Sequence, residues 1–289
     1  MENEGMNKKT LIARLKRHKW LVLVSAFFCF AASLIWVYYF ETYALQVKYV
    51  EFSAESASLK KPMKIAVVSD LHWQKGQEWY AQKLVNKVNA LNPDLIVLLG
   101  DYCYGHTHGK TMSAEDASHF FKELKAKYGV IGIQGNHDVV YGWGAWKKSM
   151  EDAGVKVLTN GSILVGDTIG SFVQVSGILD ANTHRVPKSS IPLRLSPDIP
   201  HLLLSHTPDI FPVVQIGRVD LILSGHTHGG QICWPNGKAI KNGSVYNIFY
   251  NYPFDEREGK KLLISKGVGC SILPIRLFCR PEVLLLSLQ

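Results

Sequence analysis

The sequence predicts a mixed α/β domain of two packed β-sheets with outer helices, set behind one membrane-spanning helix. Three observations carry this. Residues 20–40 hold no charged side chain. From Met63 to Gly154, apolar runs of strand length alternate with segments of helical periodicity, the pattern of βαβ crossovers and a mainly parallel sheet. From Val155 onward, apolar runs follow one another with little helical pattern between them. A chain of 289 residues is ample for a full core, and it contains no internal repeat or low-complexity tract.

At the N-terminus, residues 1–19 carry Lys8, Lys9, Arg14, Lys16, Arg17 and Lys19 against Glu2 and Glu4, a local charge of +4. The whole chain is +8, so the remaining residues share only another +4. The basic excess sits in front of the uncharged stretch and is not a general basic surface for nucleic acid. Trp20–Phe40, 21 residues, is long enough at about 1.5 Å per residue to cross a hydrocarbon core of about 30 Å. Trp20, Trp36, Tyr38 and Tyr39 stand near its ends, where aromatic belts form. The competing reading is a cleaved signal peptide. Its apolar region would be unusually long, and the nearest small-residue pattern, Ala54-Glu55-Ser56, lies well past it. We read residues 20–40 as an uncleaved transmembrane helix and residues 1–19 as a basic cytoplasmic tail. The positive-inside rule then places the folded domain outside the cytoplasm, on a cell (inner) membrane protein of single-pass topology.

Residues 41–62 form a polar-leaning connector. Within it Val47–Phe52 alternates well enough for an edge strand, and Ser53–Ser58 reads as linker. The folded domain is 63–289. Glu78–Leu91 places Ala81, Leu84, Val85, Val88 and Leu91 on one helical face and is stopped by Asn92-Pro93. Ser113–Lys127 opens with Ser-x-x-Asp, a capping-box variant, and points Ala117, Phe120, Phe121 and Leu124 inward. A short helix, Ala145–Ala153, is closed by Gly154. The later strands are Val155–Leu158, Ser162–Val165, Phe172–Ile178, Leu202–Ser205, Leu221–Ser224, Lys261–Ser265 and Val283–Leu288. Five cysteines (Cys29, Cys103, Cys233, Cys270, Cys279) show no zinc-motif spacing; an oxidising compartment would allow pairing, and isolated buried thiols are the simpler reading.

The chemistry lies at strand ends. Five apolar runs finish in Asp70-Leu-His72, Gly100-Asp101, Gly135-Asn136-His137-Asp138, His206 and Gly225-His226-Thr227-His228. In open α/β sheets the active crevice lies outside the carboxyl ends of the strands. One such residue is an ordinary cap or turn; five runs ending alike point to a shared site. Asp, Asn and His without cysteine suit first-row divalent ions, and neutral imidazole is the commonest metal ligand.

In order and spacing these motifs resemble the calcineurin-like metallophosphoesterases, from Met63 to the C-terminus. The stretch from Gly225 to Gln231, with Arg280-Pro281-Glu282, is similar to a bacterial membrane-associated subgroup that includes phosphodiesterases and a UDP-diacylglucosamine pyrophosphatase of lipid A synthesis. The resemblance implies a four-layer αββα sandwich of two mixed sheets flanked by helices. It also implies two divalent metal ions, manganese first, with iron or zinc as alternatives. One ion would be held by Asp70, His72, Asp101 and His228, the other by Asp101, Asn136, His206 and His226. His137, the family's histidine outside the ligand set, would stabilise the phosphate or protonate the leaving oxygen. Many members carry an aspartate three positions after the bridging one to orient that histidine; here Tyr104 stands there, which leaves the orientation of His137 open.

The function this implies is a membrane-anchored, binuclear-metal phosphoesterase acting on a phosphoester or pyrophosphate, including a lipid-linked one such as UDP-diacylglucosamine. A nuclease or nucleotide phosphodiesterase is the alternative enzyme, and a non-catalytic membrane scaffold the alternative of another class. A nuclease would want a basic or aromatic track, and a scaffold would be expected to lose ligands. Asp138 reads equally as support for a ligand or as a turn cap. His106 and His108 line the cleft or lie on a surface loop. His184-Arg185, Arg276 and Arg280 are candidates for contact with an anionic substrate. His18, His119 and His201 take structural readings.

Overall fold

The computed structural model describes residues 8–54, 59–105, 109–167, 171–184, 191–215, 217–241, 243–245, 255–257 and 260–289. His106, His108 and Arg185, and most of the Ser53–Ser58 linker, lie outside the described residues. The N-terminal helix α1 (Lys8–Ile35) runs into one wider helical turn at Trp36–Glu41. Apolar on every side from Trp20 on, it buries none of its long apolar window against the rest of the chain. A helix of that kind belongs in a larger core or a bilayer. Its end is fastened to the domain: Glu41 and Thr42 are buried, and the Thr42 hydroxyl donates to Val37 O at 2.7 Å.

Two six-stranded sheets make the domain. The first has the order β1 (Gln46–Phe52), β12 (Glu282–Leu288), β2 (Met63–Val68), β3 (Leu95–Leu98), β4 (Val130–Gly132), β5 (Val155–Val157). Only the β12–β2 pairing is antiparallel. β1 is thus the edge strand that its alternation suggests, but its partner is the last strand in sequence. Gln46 pairs with Glu282, and β12 is inserted between β1 and β2. The second sheet runs β10 (Asp255–Arg257), β11 (Lys260–Ile264), β9 (Leu221–Ser224), β8 (His201–Leu204), β7 (Phe172–Gly177), β6 (Gly161–Gly166), antiparallel only in the outermost pair on each side.

The facing sides of the sheets share a core of Val50, Phe52, Ile65, Val67, Leu95, Val97, Val175, Leu202, Leu223 and Leu286, among others. Each large aliphatic there contributes about 1.5–3 kcal/mol by leaving water. Central strands buried on both faces are continuously apolar, which is why β3 and the Ile65–Val68 part of β2 read as unbroken runs. The outer face of the first sheet carries α2 (Glu78–Ala90), α3 (Ala114–Glu123) and α5 (Trp143–Asp152), with Leu84, Val88, Phe121, Trp146 and Met150 packed against Ala66, Leu98 and Leu285. Over the second sheet the described cover is thinner: the 3-10 turn Pro208–Ile210 and the residues after it seat Ile210, Phe211 and Val214 on Leu203, Ile222 and Ile264.

α3 ends at Glu123, one turn before the periodicity suggests. The Asn89 amide of α2 takes both backbone groups there, donating to Glu123 O at 2.8 Å and accepting from Lys125 N at 2.8 Å. Its start is as read, with Ser113 Oγ accepting from Asp116 N at 3.0 Å. An unforeseen short helix, α4 (Asn136–Val140), begins at a candidate ligand.

Candidate active site

The ends of β2, β3 and β4 in one sheet, and of β8 and β9 in the other, open toward one place. Each chain leaves its strand abruptly there. Asp70 (φ 52°), His72 (φ 43°), Asp101 (φ 55°), His226 (φ 67°) and His228 (φ 51°) all adopt left-handed backbone conformations. Such conformations are uncommon for residues other than glycine, and they cluster where the surroundings fix them for function. Two close approaches do the fixing. A Cβ on Gly135 would collide with the Asp101 backbone, and one on Gly225 with the side chains of Ser69 and Asp70. The strand-end loops therefore approach more closely than any residue but glycine permits.

Asp138 locks two of these loops together. Fully buried, its carboxylate accepts from Asp101 N at 2.9 Å, Tyr102 N at 2.8 Å, Cys103 N at 3.3 Å and Gly135 N at 2.9 Å. Burial first, and the Asp101 charge second, push its carboxyl up to about 7, against those hydrogen bonds. Both readings of Asp138 hold at once: it caps the start of α4 and braces the loop of Asp101.

The imidazoles are aimed. His72 Nδ1 faces the carbonyls of Cys103 and Tyr104 at 3.1 and 3.2 Å, and His206 Nδ1 faces Leu99 O at 2.7 Å. A carbonyl only accepts, so these Nδ1 atoms carry the protons and each Nε2 turns its lone pair inward. His72 Nε2 lies 3.1 Å from His228 Nε2 and 3.5 Å from Asp101 Oδ2, and Asp70 Oδ1 is 3.5 Å from His228 Nε2. On the other side, His206 Nε2 lies 3.0 Å from Asn136 Oδ1, 3.3 Å from His226 Nδ1 and 3.3 Å from Asp101 Oδ2. Burial, then His72 and Arg276, hold His228 well below the usual imidazole range, in the neutral form. Burial opposes ionisation of Asp101, yet His206, His72 and His137 outweigh it and hold the carboxyl well below its ordinary value. Against burial, Asp101 and Asp70 in turn hold His206 well above the usual imidazole range, so a cation binding there takes the place of its inward proton. Two sets of acceptors meeting on Asp101 are mutually repulsive by themselves and suit divalent cations.

His137 sits beside them. Its backbone N–H donates to Asp101 Oδ1 at 2.9 Å, and its Nε2 is 3.9 Å from Asp101 Oδ2. The ring packs edge-on to His72, centroids 4.8 Å apart, and against Gly105, where a Cβ would fall 2.0 Å from His137 Nδ1. Packing thus sets this ring, in a chain where Tyr104 replaces the orienting aspartate; Tyr104 itself is buried.

Several residues take roles that their types do not announce. Arg276 is fully buried, so it is not the substrate contact considered from sequence. Its guanidinium donates to Lys266 O at 2.8 Å, Gly269 O at 3.1 Å, Cys279 O at 3.2 Å and Gly267 O at 3.3 Å, and lies 3.4 Å from His228 Nδ1. Arg280 lies with Trp36, Tyr39, Phe40 and Trp79 in a recess at the foot of α1. The Asn182 amide is 2.9 Å from His226 Nε2, in a loop with no motif to mark it. His201 is a satisfied core residue, 2.7 Å from Ser176 Oγ and 2.6 Å from Arg218 O. The cysteines other than Cys29 are buried, and no disulfide joins any of the five.

Above the cluster opens a cavity of about 550 Å³. Asp101, His137, His226 and His228 line one side, and Ile232, Ile240, Ile272, Leu273 and Lys241 the other.

The sequence model of the calcineurin-like phosphoesterase family matches residues 63–230, a span that holds all the strand-end motifs. The chain belongs to the calcineurin-like phosphoesterases. It is a metal-dependent phosphoester hydrolase, of a family that uses divalent metals. A phosphodiesterase of Escherichia coli, YaeI, is 31% identical over 238 residues, covering 78% of this chain and 82% of its own. An uncharacterized metallophosphoesterase of Campylobacter jejuni is 28% identical over 99% of this chain and 73% of its own. A bovine transmembrane protein with a metallophosphoesterase domain is 29% identical over 78% of this chain, which spans 53% of that protein. The matched family span stops at Gly230, so the wall formed by Ile232, Ile240, Ile272 and Leu273 lies outside it.

Proposed function

We propose that this chain is a membrane-anchored, two-metal phosphoesterase that acts on a phosphoester or pyrophosphate carried by a membrane lipid, of which UDP-diacylglucosamine is an example. One observation carries the two-metal reading: two groups of inward lone pairs share the single carboxylate of Asp101. In this reading Asp70, His72, Asp101 and His228 hold one ion and Asp101, Asn136, His206 and His226 the other. Mixed oxygen and imidazole donors suit manganese first, with iron and zinc accepted by the same set. Bound there, two divalent ions supply charge neutralisation for the phosphoryl oxygens and a water acidified for attack near neutral pH.

The chain's own residues do the rest. Asp101 turns the same oxygen, Oδ2, toward both groups, while Oδ1 accepts from the His137 N–H. Asn136, being neutral, limits the negative charge that an incoming phosphate meets. His137, at the cavity side of Asp101, gives its proton to the leaving oxygen or donates to the phosphoryl oxygens. The basic residues in the first turns of α1 and the length of its apolar run support an anchor with the catalytic domain outside the cytoplasm. The test is turnover of a chromogenic phosphodiester by the full-length protein in detergent, after chelation and after manganese is returned. Activity that disappears on chelation and returns with manganese is expected. Turnover unaffected by chelation, or absent with every first-row divalent ion, overturns the reading.

A further inference from the structure

The far wall of the cavity is unusual for a surface in water. Ile240, Ile272 and Leu273 line it and are 58%, 71% and 49% exposed. They are held outward by a rigid frame. Residues 232–240 form a tight hairpin, with Ile240 N donating to Ile232 O at 3.1 Å and Trp234 N to Lys238 O at 2.9 Å. Ile232 and Trp234 project from the same face, two residues apart, while Cys233 between them is buried. Gln231 ties the second segment to the first, donating to Leu273 O at 2.8 Å and accepting from Ser271 N at 2.8 Å. Ile272 is moreover left-handed, at φ 62°. For a β-branched residue that is a genuine outlier, and here it keeps an apolar side chain in the open.

Two further observations name what covers this wall. The first is continuity with the anchor. Thr42, bonded to Val37 of the helical end, accepts from Arg276 N at 2.9 Å, and the Arg276 guanidinium reaches His228. The foot of α1, the apolar segment and the active site are therefore linked through one arginine. The second is charge. From His226 to Val245, and again from Lys266 to Pro281, there is no Asp or Glu, while Lys238, Lys241 and Lys266 are present. Apolar side chains flanked by cations match a lipid surface with anionic headgroups.

We infer that this wall docks on the bilayer beside the anchor, with Trp234, Ile240, Ile272 and Leu273 among the acyl chains, so that the cavity opens onto the membrane and admits a lipid-borne phosphoester sideways. The inference rests on the phosphoesterase reading and the anchor above, and adds the surface that selects the substrate.

The experiment uses the full-length protein in lipid nanodiscs, with ordinary or chain-brominated phospholipid. The Trp234 fluorescence is read as the difference between wild type and Trp234→Phe. Its loss in brominated discs is expected. Equal Trp234 emission in both discs overturns the docking, and protection from an aqueous quencher without bromine quenching assigns the wall to a second copy or a protein instead. In the same discs, Ile272→Asp/Leu273→Asp is compared with wild type for turnover of a lipid phosphodiester relative to a water-soluble one. A ratio lowered about tenfold or more is expected, since each large side chain withheld from hydrocarbon forfeits transfer energy of about that factor. An unchanged ratio overturns the sideways route. Absence of metal-dependent turnover of both esters in wild type sinks the phosphoesterase reading instead, while the fluorescence still reports on docking.

Discussion

From Asp70 to His228 the cleft is walled by polar side chains that are mostly buried, whereas from Ile232 to Leu273 it is walled by apolar side chains, most of them exposed. The first wall is held by left-handed residues, touching glycines and the four hydrogen bonds to Asp138. No position in it moves without moving a neighbour. The second wall is framed by a few backbone bonds, and its side chains touch mostly solvent. Chemistry common to all phosphoesters demands the first kind of wall; choice among them is left to the second.

The comparison breaks first, and most severely, at Asp101. Asp101→Ala is expected to abolish turnover and lower bound metal below two ions per chain, as read by elemental analysis of the purified protein. Retention of two ions would remove the shared carboxylate from the account. His137→Ala is expected to keep the metal content and reduce turnover by about 10²–10⁴-fold, the usual worth of a positioned acid. Markedly less metal in that variant would make His137 a ligand.

Arg276 is the seam between the walls. In Arg276→Gln several buried carbonyls lose their donor at about 1–3 kcal/mol each, so the melting temperature of the metal-loaded protein should fall by about 10 °C. A change within error would mean that the seam is not structural. The smallest effect concerns the N-terminal helix. A form beginning at Ala44 keeps β1 and should retain turnover of a soluble ester. One beginning at Ser58 loses β1 and the buried Val50 and Phe52, which costs about 3–6 kcal/mol. Equal thermal stability of the two forms would show that β1 is dispensable. A folded domain of 63–289 behind a Ser53–Ser58 linker, as read from the sequence, would favour the Ser58 start; the pairing with β12 argues against it.

What could be read without coordinates was what the chain writes locally. Asp70, His72, Asp101, Asn136, His206, His226 and His228 follow apolar runs closely, so strand and candidate ligand appear together. The stripe on α2 was equally plain. Non-local facts were hidden: Asn89 ending α3, β12 entering beside β1, and Arg276 buried although arginine is ordinarily exposed. The apolar wall escaped for a different reason. Ile240 and Ile272 lie in irregular segments, where no period distinguishes an outward side chain from an inward one.

The place of β12 has a consequence for how the protein is made. Synthesis delivers β1 early, close behind α1, yet its partner is the last strand of the order, with Gln46 waiting for Glu282. Until then β2 lacks its neighbour on that side, and an apolar strand edge stands open. Pairings so far apart in sequence form slowly. Closure of the first sheet is thus a late event, and a chain interrupted before Glu282 leaves β1 unpaired and β2 open on one edge, with the strand-end loops already built.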